Sequence, residues 1–288
     1  MYLKEKRMSE LPYLNLGCGS HFDTRWVNVD FSTTGEGVIA HNLLNGIPFG
    51  DNTFEVVYHS HMLEHLPRNK ASEFIAECYR VLKPGGILRI AVPDLEQIIN
   101  NYSRLLALGK QNPGDQRVRD DYDWMMIELY DQAVRNEGGG GMIDYLSRKV
   151  LTNEDFIFQR IGYEGYMLRQ SIVSSFNTPP QKVSFARKVY RAIRWNIAPR
   201  NYKRLFLSTF FPKEYKLMLL GKFRQEGEIH QWMYDIYSLG KLLGNAGFKN
   251  VAQKTFDSSA VPDWRSFGLD EVNDKVRKPD SLFVEAVK

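Results

Sequence analysis

Short apolar runs separated by turn and helix signals fill residues 12–98, the pattern of parallel strands joined by crossovers. Tyr13-Leu14-Asn15-Leu16 reads as a first strand ending in Gly17-Cys18-Gly19. Trp26-Val27-Asn28-Val29-Asp30 is a second, ending on an acid, and Val38-Ile39-Ala40 a third. The turn Gly50-Asp51-Asn52 leads into a fourth strand from Thr53 to Tyr58. From Arg68 to Leu82 the spacing turns helical, with Phe74, Ile75, Cys78, Val81 and Leu82 on one side. Lys83-Pro84-Gly85-Gly86 stops that helix, and Ile87 to Val92 forms a fifth strand closed by Pro93-Asp94.

The pattern returns near the end of the chain. Ser238 to Ala246 reads as a helix with Leu239, Leu242 and Leu243 inward, ended by Gly247. Phe248 to Phe256 and Ser281 to Val287 supply two more strands. The expected fold class is therefore α/β: a Rossmann-like, seven-stranded, mostly parallel sheet with helices on both faces. A helical insertion interrupts it before the last helix and strands. The expected organisation is a first part of the core over 1–96, an insertion or cap over 97–228, and the last part of the core over 229–288. Within the insertion, Phe185, Val189, Ile193 and Ile197 recur every four residues, with Arg187, Lys188, Arg191 and Arg194 mainly opposite.

Charge sharpens the picture of that insertion. Lys182 to Arg224 holds twelve Lys and Arg against the single acid Glu214, while the whole chain is only +4. A basic block in an otherwise acidic protein points to an anionic partner, or to a solvated basic face. Phe185, Trp195, Phe206, Phe210 and Phe211 lie in the same stretch, so peripheral membrane contact through 182–224 is one reading. Nucleic acid is disfavoured, since no recognised module is evident. Two distant cysteines, Cys18 and Cys78, argue against a disulfide scaffold or metal knuckle and fit a reducing cytoplasm. No apolar run reaches membrane-spanning length, and MYLKEKRMSELP does not resemble a signal peptide.

A strand followed at once by Gly-x-Gly lets backbone approach a ligand closely, and an acid ending the next strand, Asp30, can accept the hydroxyls of a ribose. A dinucleotide fingerprint needs a third glycine where this chain has Phe22. Asp30 also follows Gly19 by only 11 residues, against a usual spacing of about 20. Both details favour S-adenosylmethionine, which carries no phosphate, over a nicotinamide.

Leu14-Asn15-Leu16-Gly17-Cys18-Gly19 and Trp26-Val27-Asn28-Val29-Asp30 resemble the first two motifs of class I S-adenosylmethionine-dependent methyltransferases of the type 11-like kind. Ile47 to Tyr58, Leu63-Glu64-His65, Leu82-Lys83-Pro84-Gly85-Gly86 and His230-Gln231-Trp232-Met233-Tyr234 are similar to later family segments, in order. The resemblance implies that Gly17, Cys18 and Gly19 line the methionine end of the cofactor and that Asp30 holds its ribose. It places the adenine against Asn42 and Leu43, although the family more often has Asp where Asn42 stands. The short link from Gly19 to Trp26 leaves little room for the usual first helix, and in this it is similar to a branch associated with polysaccharide synthesis.

His59-Ser60-His61-Met62-Leu63-Glu64-His65 follows the fourth strand, whose carboxyl end belongs to the ligand-binding edge of such sheets. His61-x-x-Glu64-His65 matches an inverted zinc-protease pattern, but no third ligand is visible, and no metal is expected. A histidine there can also cap or hydrogen-bond backbone. The favoured reading is a base: imidazole accepts a proton near neutral pH, and methyl transfer mainly requires a positioned, deprotonated acceptor. The candidate catalytic residues are His65, His61, Asp94 and His230, while His59 is expected to pack near the cofactor. His230, Trp232 and Tyr234 would share one face if extended. The expected activity is methyl transfer from S-adenosylmethionine, leaving S-adenosylhomocysteine, to an oxygen of a small-molecule, nucleotide-sugar or glycan acceptor. A quinone- or lipid-like acceptor at a membrane, a non-catalytic cofactor-binding protein and, remotely, a nicotinamide oxidoreductase are the alternatives.

Overall fold

The computed structural model describes residues 12–176, 199–225 and 227–288. Seven strands form one sheet in the order β3-β2-β1-β4-β5-β9-β6. These are β1 Tyr13–Leu16, β2 Val27–Asp30, β3 Ile39–Ala40, β4 Phe54–Ser60, β5 Leu82–Pro93, β6 Lys249–Lys254 and β9 Ser281–Val287. Neighbours from β3 to β5 pair in parallel, and β9 is antiparallel to both β5 and β6. The seven-stranded α/β expectation holds.

Alternation along the strands divides the core in two. Leu14, Leu16, Val57, Leu88, Ile90 and Val92 face α1 (Arg68–Val81) and α8 (Ile236–Asn245). Tyr13, Trp26, Val56 and Tyr58 point the other way, onto Val261, Trp264, Phe267 and Leu269. The C-terminal segment thus covers this face with aromatic rings, where the sequence pattern gave no helix. A small hairpin, β7 Glu271–Val272 and β8 Lys275–Val276, follows it. Two expected boundaries shift: α1 ends at Val81 rather than Leu82, and β5 begins at Leu82 rather than Ile87, with a register break between Phe54 and Val56 absorbing the turn at Gly85.

Between β5 and β6 the described chain is helical until α8. α2 (Leu95–Gln111), α3 (Gln116–Val134), α4 (Gly140–Leu146) and α5 (Glu154–Phe176) share a core of their own around Trp124, Met125, Leu105 and Ile157. Gly162 kinks α5 at a φ of +63°, and a Cβ there would sit 2.5 Å from the Arg277 carbonyl. That glycine lets the insertion lie directly on the backbone leading into β9. α6 (Pro199–Phe210) and α7 (Pro212–Gln225) follow. The basic amphipathic repeat on Phe185, Val189, Ile193 and Ile197, and Trp195 with it, lies outside the described residues. Among the described residues no helix is long and apolar enough to cross a membrane.

Arg89, on β5, is fully buried and ties the C-terminal segment to the sheet. Its guanidinium donates to Asp270 at 2.9 Å, Glu285 at 2.8 Å and the Thr255 carbonyl at 2.9 Å, and lies 4.3 Å from the Trp264 ring centre. Tyr58 donates to the other Asp270 oxygen at 2.6 Å. Removing the cation leaves Asp270 with the Tyr58 hydroxyl and Glu285 with Ser259, Ala260 and a Lys254 ammonium 3.8 Å away, so both buried carboxylates lose their closest opposite charge. Arg89→Met is therefore expected to cost about 3–5 kcal/mol in urea unfolding; a loss under about 1 kcal/mol would show that this ion cluster does not hold the segment.

Candidate active site

Parallel pairing aligns three strand ends. Leu16 stands opposite Val29 on one side and His59 on the other. The Gly17 and Cys18 N–H groups both reach the Val29 carbonyl, at 2.8 and 3.3 Å, which draws the loop after β1 over the end of β2. Gly17 has a φ of +65°, and a Cβ on it would meet Met62 Cγ at 2.8 Å, so close packing excludes any side chain there. The Gly19 N–H donates to Asp30 Oδ2 at 2.9 Å, the Ser32 N–H to Oδ1 at 3.4 Å, and the Thr34 hydroxyl to the Gly19 carbonyl.

These residues fit S-adenosylmethionine. A carboxylate offers about four acceptor positions, and the two N–H groups leave Asp30 capacity for a ribose diol. Space beside Gly19 is open, with no atom within 4 Å of where a Cβ would stand. Residues 20–26 form turns and no helix, so no helix N-terminus faces this loop for a pyrophosphate. Phe22, at the third-glycine position, lies against Gly35 instead. Burial, and secondarily Asp30, push the Cys18 thiol up to about 11, so it stays protonated. Asn42 accepts the Leu44 N–H at 3.0 Å and caps the short turn Leu43–Asn45, with Leu43 half-buried against the core. His59 is fully enclosed, edge-on to Phe74 at 5.3 Å, and neither ring nitrogen has a hydrogen-bond partner.

The second half of the site grows from the end of β4. His61 adopts a φ of +50°, and its N–H donates to the Ala91 carbonyl at 2.8 Å. A single 3-10 turn, Leu63–His65, then buries Glu64 between the core residues Leu63 and Leu66. The Glu64 carbonyl accepts the N–H groups of Gln231 at 2.7 Å and Trp232 at 3.2 Å, and the His230 N–H donates to the Gln132 carbonyl at 2.9 Å. This backbone stitching brings His230 from 165 residues away until its ring stands 4.8 Å from that of His65.

Three imidazoles thus surround one carboxylate. Glu64 Oε1 is 3.3 Å from His61 Nδ1 and 3.9 Å from His65 Nε2. Despite that proximity, neither carboxylate oxygen makes an aligned hydrogen bond, and both are buried. His61 Nε2 meets Ser281 Oγ at 2.7 Å, and His65 Nδ1 donates to the Ile229 carbonyl at 3.2 Å. Burial drives each group toward its neutral form: Glu64 is pushed up to about 8, His230 down to about 3, His61 well below and His65 below the usual histidine range. Asp280 is raised to about 7 by burial and then by Glu128 of the insertion.

Other expected site residues take different places. Asp94 caps α2, accepting the Gln97 N–H at 3.2 Å. The common face expected for His230, Trp232 and Tyr234 does not form, because the segment is irregular rather than extended. His230 and Tyr234 are buried, whereas Trp232 is 39% exposed beneath the Arg68 guanidinium, 4.5 Å from the ring centre. Glu64 was legible only as part of the His61-x-x-Glu64-His65 pattern, and a carboxylate between Leu63 and Leu66 was the one signal of its burial. Nothing local marked Ser281 or Asp280.

Residues 14–90 match the family described as methyltransferase domain. A ubiquinone/menaquinone biosynthesis C-methyltransferase of Desulfotalea psychrophila is 52% identical over 42 residues, 15% of this chain and 16% of that protein. A probable S-adenosylmethionine-dependent methyltransferase of Mycolicibacterium smegmatis is 32% identical over 75 residues, 26% of this chain and 25% of that one. The chain thus spans about a sixth to a quarter of the length of these curated relatives. Among solved structures, a SAM-dependent methyltransferase from Archaeoglobus fulgidus is 14% identical with a TM-score of 0.37, covering 96% of this chain and 85% of that one. Over residues 14–90, about a quarter of the chain, the sequence is similar to a methyltransferase domain. S-adenosylmethionine is the cofactor this family implies.

The orphaned His59 ring generates a pH prediction. Burial lowers it to about 3, so the folded protein refuses a proton that the unfolded chain takes up below about pH 6.5. Stability is therefore lost as pH falls from about 6.5 toward 3. His59→Leu is expected to flatten this acid-side loss by up to about 1.4 kcal/mol per pH unit while staying at least as stable at pH 7. Urea unfolding at several pH values measures it; parallel slopes in the two proteins would contradict the assignment.

Proposed function

We propose that the chain is an S-adenosylmethionine-dependent methyltransferase that methylates an oxygen of a small or glycan-type acceptor. The observation that carries this reading is the contact between Met62 and Gly17: the histidine segment packs directly on the cofactor loop. When bound, the cofactor supplies a methyl group on a positively charged sulfur. Gly17, Cys18 and Gly19 shape the methionine end, Asp30 accepts the ribose hydroxyls, and Leu43 and the amide of Asn42 meet the adenine. The neutral imidazole of His65 or His61 takes the acceptor's proton; the Ile229 carbonyl accepts from His65 Nδ1 and leaves its Nε2 free, while the Ser281 hydroxyl engages Nε2 of His61. His65 has the more exposed side chain of the two, 25% against 13%, and is better placed to meet an acceptor. Residues 97–228 act as the substrate-side cap, and the shortened Gly19–Trp26 link favours the polysaccharide-associated branch.

Methyl-tritiated S-adenosylmethionine offered with sugar nucleotides and oligosaccharides tests this. Label is expected in an alkali-stable ether, and His65→Gln or His61→Gln is expected to slow turnover about 10²–10⁴-fold with cofactor affinity retained. Cofactor binding with no acceptor labelled, in wild type as in the variants, would favour a non-catalytic binding protein.

A second reading places a quinone- or lipid-like acceptor at a membrane surface. The 42-residue likeness to the quinone C-methyltransferase supports it, as does the apolar exposure of α6 and α7. Tyr202, Phe206 and Phe210 on α6 and Leu217 and Met218 on α7 are exposed, flanked by Lys203, Lys213 and Lys216. A basic helix pair with aromatic side chains suits an anionic lipid interface. Flotation with phosphatidylglycerol vesicles is expected to carry the protein up, phosphatidylcholine vesicles much less, and Phe206→Ser with Phe210→Ser to lower binding at least about tenfold. Equal behaviour of all samples would remove this reading.

A further inference from the structure

Glu64, His65 and His230 each present one ligand atom, and the three atoms lie within 4.8 Å of one another. We propose that these three side chains form a binding site for one divalent first-row transition metal, such as zinc, at the edge of the methyltransferase site. The sequence pattern offered the histidines His61 and His65 and lacked a third ligand; the structure instead joins Glu64 and His65 to His230, which the bonds from Gln231 and Trp232 to the Glu64 carbonyl hold against His65.

Three independent features support the site. The Glu64 carboxylate is enclosed with both oxygens unpartnered, a costly arrangement that a bound cation would compensate. The tautomer of His65 is set as metal ligands require: Nδ1 donates to the Ile229 carbonyl, leaving the Nε2 lone pair on the Glu64 side. The donor set of two imidazoles and one carboxylate is that of many zinc sites with an open fourth position. Ligands about 2.1 Å from a tetrahedral ion stand about 3.4 Å apart, so loading requires the three side chains to draw in by about an ångström. Side-chain rotation can supply this, since the His65 side chain is 25% exposed and Glu64 has no hydrogen bond to break.

His61 completes the arrangement from outside. Ser281 holds its Nε2 and its Nδ1 faces Glu64 at 3.3 Å, where it can steady the carboxylate. Within the proposed methyl transfer, a metal held here would make an acceptor hydroxyl at the open position more acidic and would take His65 out of the role of base. The metal site can be tested without that reading, because loading is measured with neither cofactor nor acceptor.

Tag-free, chelator-stripped protein titrated with cobalt(II) is the direct test. One equivalent per chain is expected to bind with visible ligand-field absorption that zinc then abolishes. His230→Ala and Glu64→Gln should each weaken binding at least about tenfold, with circular dichroism and thermal melting confirming that the variants fold. Should His230→Ala unfold, His230→Asn replaces it. Absence of the absorption in folded wild type, or its persistence in both Glu64 and His230 variants, overturns the site even if S-adenosylmethionine binds normally.

Discussion

The hydrogen bond from the Gly19 N–H to Asp30 Oδ2 at 2.9 Å ties the tip of the loop after β1 to the end of β2. It depends on parallel pairing that sets Leu16 beside Val29, and on left-handed backbone at Gly17 and Gly19. With no helix between β1 and β2, this bond and those to the Val29 carbonyl replace the anchoring that a helix would give. Asp30 therefore serves the loop's shape as well as offering acceptor capacity. Met62 then carries the constraint onward: its contact with Gly17 seats the histidine segment beside the loop.

The cost of the site is concentrated at Glu64. A buried carboxylate without aligned hydrogen bonds opposes folding, and the surrounding scaffold shows how it is retained. Its backbone carbonyl holds the irregular segment entering α8, its side chain sits among His61, His65 and His230, and Leu63 and Leu66 pack on either side. Arg89 on the opposite face shows the contrasting solution, in which every buried charge meets an opposite one. Paired charges hold the C-terminal segment in place, whereas at Glu64 a carboxylate is buried without an aligned partner.

Much of the fold was legible because its signals are local. Alternating apolar residues marked the strands, Gly247 marked the end of α8, and Ser281–Val287 was readable to the residue. The glycine loop and Asp30 were equally visible, since a turn and a strand end are written in adjacent positions. The aromatic cover formed by Trp264 and Phe267 was not, because it has no periodicity and owes its place to Arg89 and Asp270. His230 was legible as a candidate, but its nearness to His65 was not, since only the long return of the chain creates it. Trp232 misled for the same reason: alternate spacing predicts a shared face only in extended backbone.

The central claim is that the Gly17–Gly19 loop and Asp30 bind S-adenosylmethionine. Calorimetric titration of wild type and Asp30→Ala with S-adenosylmethionine and S-adenosylhomocysteine tests it most directly. The account predicts affinity of the order of micromolar in wild type, about −8 kcal/mol, and loss of most of it in a variant that stays folded. No heat of binding for either ligand with folded wild type, or equal affinity in Asp30→Ala, would contradict it.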